Sequence, residues 1–210
     1  MNVKGFQDTI DWYDQNAEEY ANLTYQVTPD ALLEKFISLL PTTPLVLDAG
    51  CSAGRDSRLL KEKGAVVTGL DISKGLLAQA KKRHPDISFI EGNFLDLPFE
   101  DNSFDGVWSR ASLVHLDRIK DLKQSLKEFY RVLKDKGILH IYTREQTEGK
   151  KTALVSDRDT PHKRFFRYYT KDEMKKYLED LGFVIKKIES HSDPHGRKEI
   201  KWLCIFAQKF

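Results

Sequence analysis

Cysteine is nearly missing from this chain: there are 2 in 210 residues. Cys51 and Cys204 stand at no spacing that suggests a disulfide framework or a thiolate metal site, so no metal is expected. Long apolar runs are missing too, and nothing in the sequence is expected to cross a bilayer. Asp8 and Asp11 follow Lys4 where a secretory leader would turn apolar, which makes the cytoplasm the expected location. Internal repeats, low-complexity tracts and a recognisable RNA-binding module are likewise absent. What remains is a chain long enough for one substantial domain with its own core. Its net charge of +2 is unevenly spread: residues 1–149 carry 19 Lys and Arg against 23 Asp and Glu, and residues 150–210 carry 15 against 9. A basic last third suits an anionic substrate or a nucleic acid, although a solvated helix face produces the same excess.

What is there is organised around LVLDAGCSAGRDSRLL, residues 45–60. Leu45, Val46 and Leu47 form the short continuous apolar run of a strand buried on both faces. Asp48 ends the run, and Gly50 and Gly54 bracket a loop whose backbone can turn sharply and approach a ligand. A helix begins at Arg55 and points its N-terminus at whatever the loop holds. A dinucleotide loop has glycines spaced G-x-G-x-x-G, but Ser52 occupies the second of those positions here. Asp48 at the loop entrance would also repel a pyrophosphate, whereas it suits a ligand bearing an ammonium and a sulfonium. A nicotinamide oxidoreductase is therefore the weakest reading, and S-adenosylmethionine the ligand that fits.

The segment resembles motif I of the class I S-adenosylmethionine-dependent methyltransferases, and stretches along most of the chain resemble that family's later motifs. The resemblance implies an α/β fold, with a Rossmann-like, doubly wound seven-stranded sheet that is mostly parallel and ends in an antiparallel hairpin. It implies a single domain over 1–210, divided into a helical cover (1–40), a cofactor-binding core (45–144) and an acceptor-side loop, helix and terminal hairpin (145–210). The cofactor would be S-adenosylmethionine, leaving as S-adenosylhomocysteine, and the reaction an in-line methyl transfer to a small-molecule acceptor.

Taken in order, residues 7–20 read as one helix whose Trp12, Tyr13 and Tyr20 pack part of its surface. By resemblance Tyr20 would approach the methionine end of the cofactor. Thr28 caps a helix with Pro29 at its first position. AVVTGLD forms a second strand ending at Asp71, roughly 20 residues past the loop, where a strand-end acid meets a ribose. Asp71 matches the acid of the family's second motif, with Ile72 beside it, and its replacement by Ala is expected to weaken cofactor binding while leaving the fold intact. Ser73 caps the next helix. ISFIEGNFLDLPF gives a third strand and a turn in which Asn93 and Phe94 stand where the family holds adenine. Asn93 departs from the more usual acid, and an amide offers adenine both a donor and an acceptor. Leu95, Leu97 and Phe99 read as core. Ser52, Arg55 and Ser109 complete the cofactor set that the resemblance implies.

FDGVWSRASLVHL supplies a fourth strand whose exit lies beside the chemistry, with Arg110 and His115 as candidate catalytic residues. His115 is the candidate base; its alternative is a core histidine with a satisfied ring. A helix over 119–133 leads to a fifth strand after Gly137. Residues 145–166 are charged and weakly periodic, and a connection of that length is expected to be a lid, a binding loop or disordered. Thr170 and Glu173 make a capping box for the next helix, and FVIKKIE and IKWLCIFAQ form the final hairpin. His191, Asp193 and His195 read as a polar turn and not as ligands. Arg164, Arg167, Tyr168, Arg197 and Trp202 are the candidate acceptor contacts, and the arginines suit an anionic acceptor. Two other functions stay open: methyl transfer to RNA, such as a modified tRNA base, and a non-catalytic module that binds S-adenosylmethionine.

Overall fold

A computed structural model describes residues 4–26, 29–147, 149–156, 163–193 and 196–210, with side chains from Phe6 onward. Helices α1 (Lys4–Gln15), α2 (Ala17–Thr24) and α3 (Asp30–Ile37) precede β1 (Leu45–Ala49). Next come α4 (Arg55–Glu62), β2 (Val66–Asp71), α5 (Lys74–Arg83), β3 (Ser88–Glu91) and β4 (Phe104–Arg110). A 3₁₀ turn at Leu113–His115 leads to α6 (Ile119–Val132) and β5 (Leu133–Arg144). The last third holds β6 (Thr152–Ser156), β7 (Lys163–Arg167), α7 (Lys171–Glu179), β8 (Phe183–Ser192) and β9 (Lys201–Lys209). Among the described residues no helix is long and apolar enough to cross a membrane.

The seven-stranded sheet has the order β3-β2-β1-β4-β5-β9-β8. Strands β1 to β5 pair in parallel, while β9 runs antiparallel to both β5 and β8. Apolar clusters cover both faces, which is why β1 and β4 read as continuous hydrophobic runs. The order reverses between β1 and β4, so the loops leaving their carboxyl ends diverge and open a crevice. Both organising motifs of the sequence, the glycine loop and the stretch ending at His115, lie in that crevice.

Three expectations are corrected. The helix over 7–20 breaks at Asn16, whose φ of −115° is not helical and whose amide bonds the Trp12 carbonyl at 2.8 Å. The connection over 145–166 contains an antiparallel ribbon, β6 with β7, because Leu154 and Val155 alternate against Phe165 and Arg164. Pro29 occupies the N-cap position of α3 instead of its first turn. Thr28, Pro161, Pro194 and His195 lie outside the described residues. The capping box of Thr170 and Glu173 forms as expected, with both 3.1 Å bonds.

The core contains one misfit polar group. His140, on β5, is fully buried between Trp108, Phe36 and Phe206, and neither ring nitrogen has a hydrogen-bond partner among the described residues. Burial, with help from Arg110, pushes its pKa down to about 3. An unfolded histidine titrates near 6.5, so the unfolded chain binds this proton first and stability is lost as pH falls from about 6.5 towards 3. His140→Phe should stabilise the protein by about 1–2 kcal/mol by removing unsatisfied buried nitrogens. It should also flatten the acid side of the stability curve over that window. Melting wild type and variant at a series of pH values checks both, and parallel curves would rule out His140 as a source of the acid slope.

Candidate active site

The glycine loop is built to face inward. The amides of Gly50 and Cys51 both donate to the Leu70 carbonyl, at 2.8 and 3.0 Å, which pins the loop to β2. Gly50 has φ +85°, and a Cβ there would stand 2.4 Å from the Cβ of Ser112 on the β4 exit. Only glycine lets the two crevice walls meet. Asp71 is buried at the end of β2, with Oδ2 accepting from the Ser52 amide at 2.8 Å and Oδ1 from the Ser73 amide at 3.0 Å. Burial raises its pKa, and the backbone bonds from Ser73 and Ser52 work against that rise. The carboxylate thus also ties the loop to α5, so Asp71→Ala is expected to cost stability as well as cofactor affinity.

Charge at the base of the crevice is shared between two carboxyls. Asp48 accepts from Ser57 Oγ at 2.6 Å and is pushed up to about 8, first by burial and then by Asp56. For Asp56, burial opposes the charge, but Arg55 and then Arg110 outweigh it and hold the carboxyl down to about 2. Arg55 Nε lies 2.6 Å from Asp56 Oδ1, Trp108 Nε1 donates to Oδ2 at 3.0 Å, and Arg110 Nη1 stands 3.9 Å from Oδ2. Within the pair the negative charge therefore rests more readily on Asp56, beside the guanidiniums, than on Asp48.

Across the crevice, His115 is held on both sides. Its Nδ1 lies 2.8 Å from the Phe165 carbonyl, which can only accept, so Nδ1 carries a proton. In the neutral ring Nε2 is then the basic nitrogen, and it accepts from the Tyr13 hydroxyl at 3.2 Å. The Tyr13 oxygen in turn accepts from Arg164 Nη1. Three distant segments, α1, the 3₁₀ turn and β7, meet in this chain of bonds. Nearby, Tyr142 and Trp202 stack at 4.9 Å with 13° between planes, and Arg144 lies 4.6 Å from the Trp202 ring.

A cavity of about 230 Å³ joins these parts. Of the expected residues it is lined by Tyr20, Asp48, Gly50, Ser52, Arg55, Asp71, Ile72, Asn93 and Phe94 at the loop end. Arg110, His115, Arg164, Arg197 and Trp202 line it as well. Four expectations are corrected. Gly54 shapes the N-terminus of α4 and does not reach the cavity, and Ser109 is buried behind it, 2.8 Å from Ser112 Oγ. Arg167 spends its guanidinium on the carbonyls of Leu116 and Asp117, and Tyr168 packs into the core beside the ribbon. Asp193 is corrected as well: it is no solvated turn residue but a buried post, taking Arg197 through both oxygens at 2.9 and 3.1 Å and Trp202 Nε1 at 3.0 Å.

The sequence reading missed Asp56, Tyr142 and Arg144, and it treated Tyr13 as packing. Tyr142 and Arg144 end β5, and the rule that ligands bind beyond the carboxyl ends of parallel strands could have singled them out. Asp56 had no distinguishing signal, because an acid in the first turn of a helix is ordinary. Among the described residues, Glu189, His191 and Cys204 bring metal-ligand atoms within 4.8 Å of one another. Glu189 is already paired with Lys187 and His191, and burial pushes the Cys204 thiol up to about 12, away from the thiolate a metal would take.

The cover is fastened to the core beside this cavity. Helices α1 and α2 lie against α5, and Asp14 Oδ1 accepts from Ser73 Oγ at 2.5 Å and from the Gly75 amide at 2.9 Å. A Cβ on Gly75 would fall 2.6 Å from the Asp14 carbonyl oxygen, so α1 sits where only glycine admits it.

Residues 47–141 match the family model described as a methyltransferase domain. The chain is 39% identical over 99 residues to a demethylmenaquinone methyltransferase of Chlorobaculum tepidum, covering 47% of this chain and 40% of that protein. It thus spans less than half the length of this curated relative. An S-adenosylmethionine-dependent methyltransferase from Methanosarcina mazei superposes with a TM-score of 0.76 at 24% identity, covering 88% of this chain and 98% of the other. A Burkholderia thailandensis 1,6-didemethyltoxoflavin-N1-methyltransferase, solved with its acceptor and S-adenosylhomocysteine, superposes at 0.74 with 20% identity, covering 97% and 86%. The methyltransferase-domain match thus spans the core from β1 to β5, with the loop and sheet order described above, and the chain as a whole has the fold of these solved methyltransferases.

Proposed function

We propose that this protein transfers a methyl group from S-adenosylmethionine to a small-molecule acceptor. The observation that carries the reading is one cavity lined both by a carboxylate-bearing loop and by a tautomer-fixed histidine. The residues fit the cofactor. Each Asp71 oxygen holds one backbone N–H and keeps a lone pair for a ribose hydroxyl. Asn93 spends its carbonyl on the Leu95 amide at 3.0 Å, leaving its NH₂ to meet adenine. Ser52 Oγ is buried with no partner among the described residues, as a group awaiting a ligand would be. Asp48 and Asp56 give a cation a favourable site at the base.

S-adenosylmethionine supplies, when bound, a methyl already activated on a sulfonium. The work left to the chain is alignment, exclusion of water and handling of one proton. The cover helices contribute Trp12, Tyr13 and Tyr20 to the cavity wall. His115 takes the acceptor's proton at Nε2, directly or through the Tyr13 hydroxyl, while the Phe165 carbonyl holds the opposite nitrogen in place. Calorimetry on the purified protein should register binding of S-adenosylmethionine and S-adenosylhomocysteine and none of NAD. Binding of NAD with no heat from either adenosyl ligand would overturn the reading.

A further inference from the structure

Arg164 is folded into the cover. It belongs to β7, yet it is only 3% exposed because rings of both cover helices surround it. Its guanidinium carbon lies 5.2 Å from the ring centres of Trp12 and Tyr13 on α1 and 5.4 Å from that of Tyr20 on α2. The three rings also meet one another edge-on, at 5.4, 6.0 and 4.9 Å. A cation held among rings and out of water is bound more firmly than one at an exposed site. Arg164 Nη1 donates besides to the Tyr13 oxygen, which leaves the Tyr13 proton for His115 Nε2 at 3.2 Å.

The fastening of His115 to β7 is independent of the cover. Phe165, next to Arg164, gives its carbonyl to His115 Nδ1, and Phe166 packs its ring 5.0 Å from the imidazole. Arg167 bonds the Leu116 and Asp117 carbonyls, and the Tyr169 hydroxyl bonds that of Leu113, so the strand and the 3₁₀ turn are tied on both sides of His115. His115 and Arg164 therefore form one body, to which α1 brings Tyr13. Lifting α1 takes Tyr13 away from both at once.

Resting on the methyl-transfer reading, we propose that Arg164 is a positioning residue that couples the seating of the cover to assembly of the proton-handling pair. It acts through Tyr13. The aromatic seat draws α1 and α2 onto β7, and the Nη1 bond turns the Tyr13 hydroxyl towards Nε2. In this role Arg164 fastens the site and is not a contact for the acceptor.

The test compares ligand-free wild type, Arg164→Gln and Arg164→Lys by limited chymotryptic digestion and by nitrogen NMR of the histidine rings. Chymotrypsin prefers bonds after large apolar side chains, which in the cover means Trp12, Tyr13 and Tyr20. Arg164→Gln should be cut within the cover about 10-fold or more faster than wild type, the scale of losing a desolvated cation shared by several rings. Its melting temperature should change little. Its His115 Nε2 resonance should move towards that of an unbonded nitrogen, with Nδ1–H retained by the Phe165 carbonyl. Arg164→Lys keeps a cation among the rings and should recover part of both effects. Cleavage at the wild-type rate overturns the proposal, and so does faster cleavage with an unmoved His115 signal, because Arg164 would then only pack. Should Arg164→Gln not fold, Tyr13→Phe decides, since it keeps the ring and removes the hydroxyl that links Arg164 to His115. It should move the Nε2 signal and speed cleavage in the cover, and wild-type behaviour in either overturns the coupling. None of these readouts uses the cofactor, so absence of S-adenosylhomocysteine binding to wild type strikes the methyl-transfer reading instead, and the two failures are distinguishable.

Discussion

Asp71→Ala should lower affinity for S-adenosylhomocysteine by about 100-fold or more and lower the melting temperature with it. Two hydrogen bonds from ribose hydroxyls to a carboxylate are worth roughly 1.5–3 kcal/mol each, so losing both exceeds two orders of magnitude. The stability loss has a separate origin. The Ser52 and Ser73 amides would lose their acceptor in a buried place, at a cost of about 1–3 kcal/mol for each amide left unsatisfied. Calorimetry and thermal melts on one preparation separate the two effects. A lower melting temperature with unchanged affinity would remove the ribose role and leave Asp71 as a structural tie.

His115→Ala should reduce turnover by about 100- to 10,000-fold once an acceptor with an ionisable proton is in hand, the range a positioned base contributes. Affinity for S-adenosylhomocysteine should change far less than turnover, because His115 makes no contact with the glycine loop's Asp71 anchor. The acid limb of the wild-type rate profile should disappear in the variant. Tyr13→Phe should cost less, since Nε2 keeps its position through the Phe165 carbonyl. Retention of full turnover by His115→Ala would leave Nε2 as a packing nitrogen with no part in proton handling.

Legibility in the sequence followed distance along the chain. Every element whose cause is local could be read: the strand at 45–47, the cap at Ser73 and the box at Thr170 and Glu173 each depend on residues within a turn or two. The mostly parallel sheet with its terminal hairpin came from resemblance, and the cofactor loop could be read from its own residues because a βαβ unit compresses its site into one stretch. Residues were misjudged where a role depended on a partner far away. Arg167 looked like a substrate contact because its neighbours are aromatic and basic, yet carbonyls some 50 positions earlier take its guanidinium. Asp193 looked like a turn residue because nothing nearby announces the tryptophan 9 positions on that it anchors. Tyr13 and His115 are separated by 102 positions, and no periodicity in either segment hints at their bond.

The seat of α1 on α5 makes one amide proton a reporter. The Gly75 N–H, in the first turn of α5, takes its acceptor not from its own helix but from Asp14, on the far side of the cavity's edge. Whenever α1 lifts away, that amide loses its shelter while the rest of α5 keeps its ladder. Its exchange with solvent deuterium therefore measures how often the cavity opens, residue by residue and without any ligand, label or turnover. Where closing is fast, the ratio of its exchange rate to that of an unprotected glycine amide gives the opening equilibrium, and a mid-helix amide such as Ala78 reports the helix's own opening for comparison. A chain whose substrate is unidentified thus carries its own gauge of access to the site.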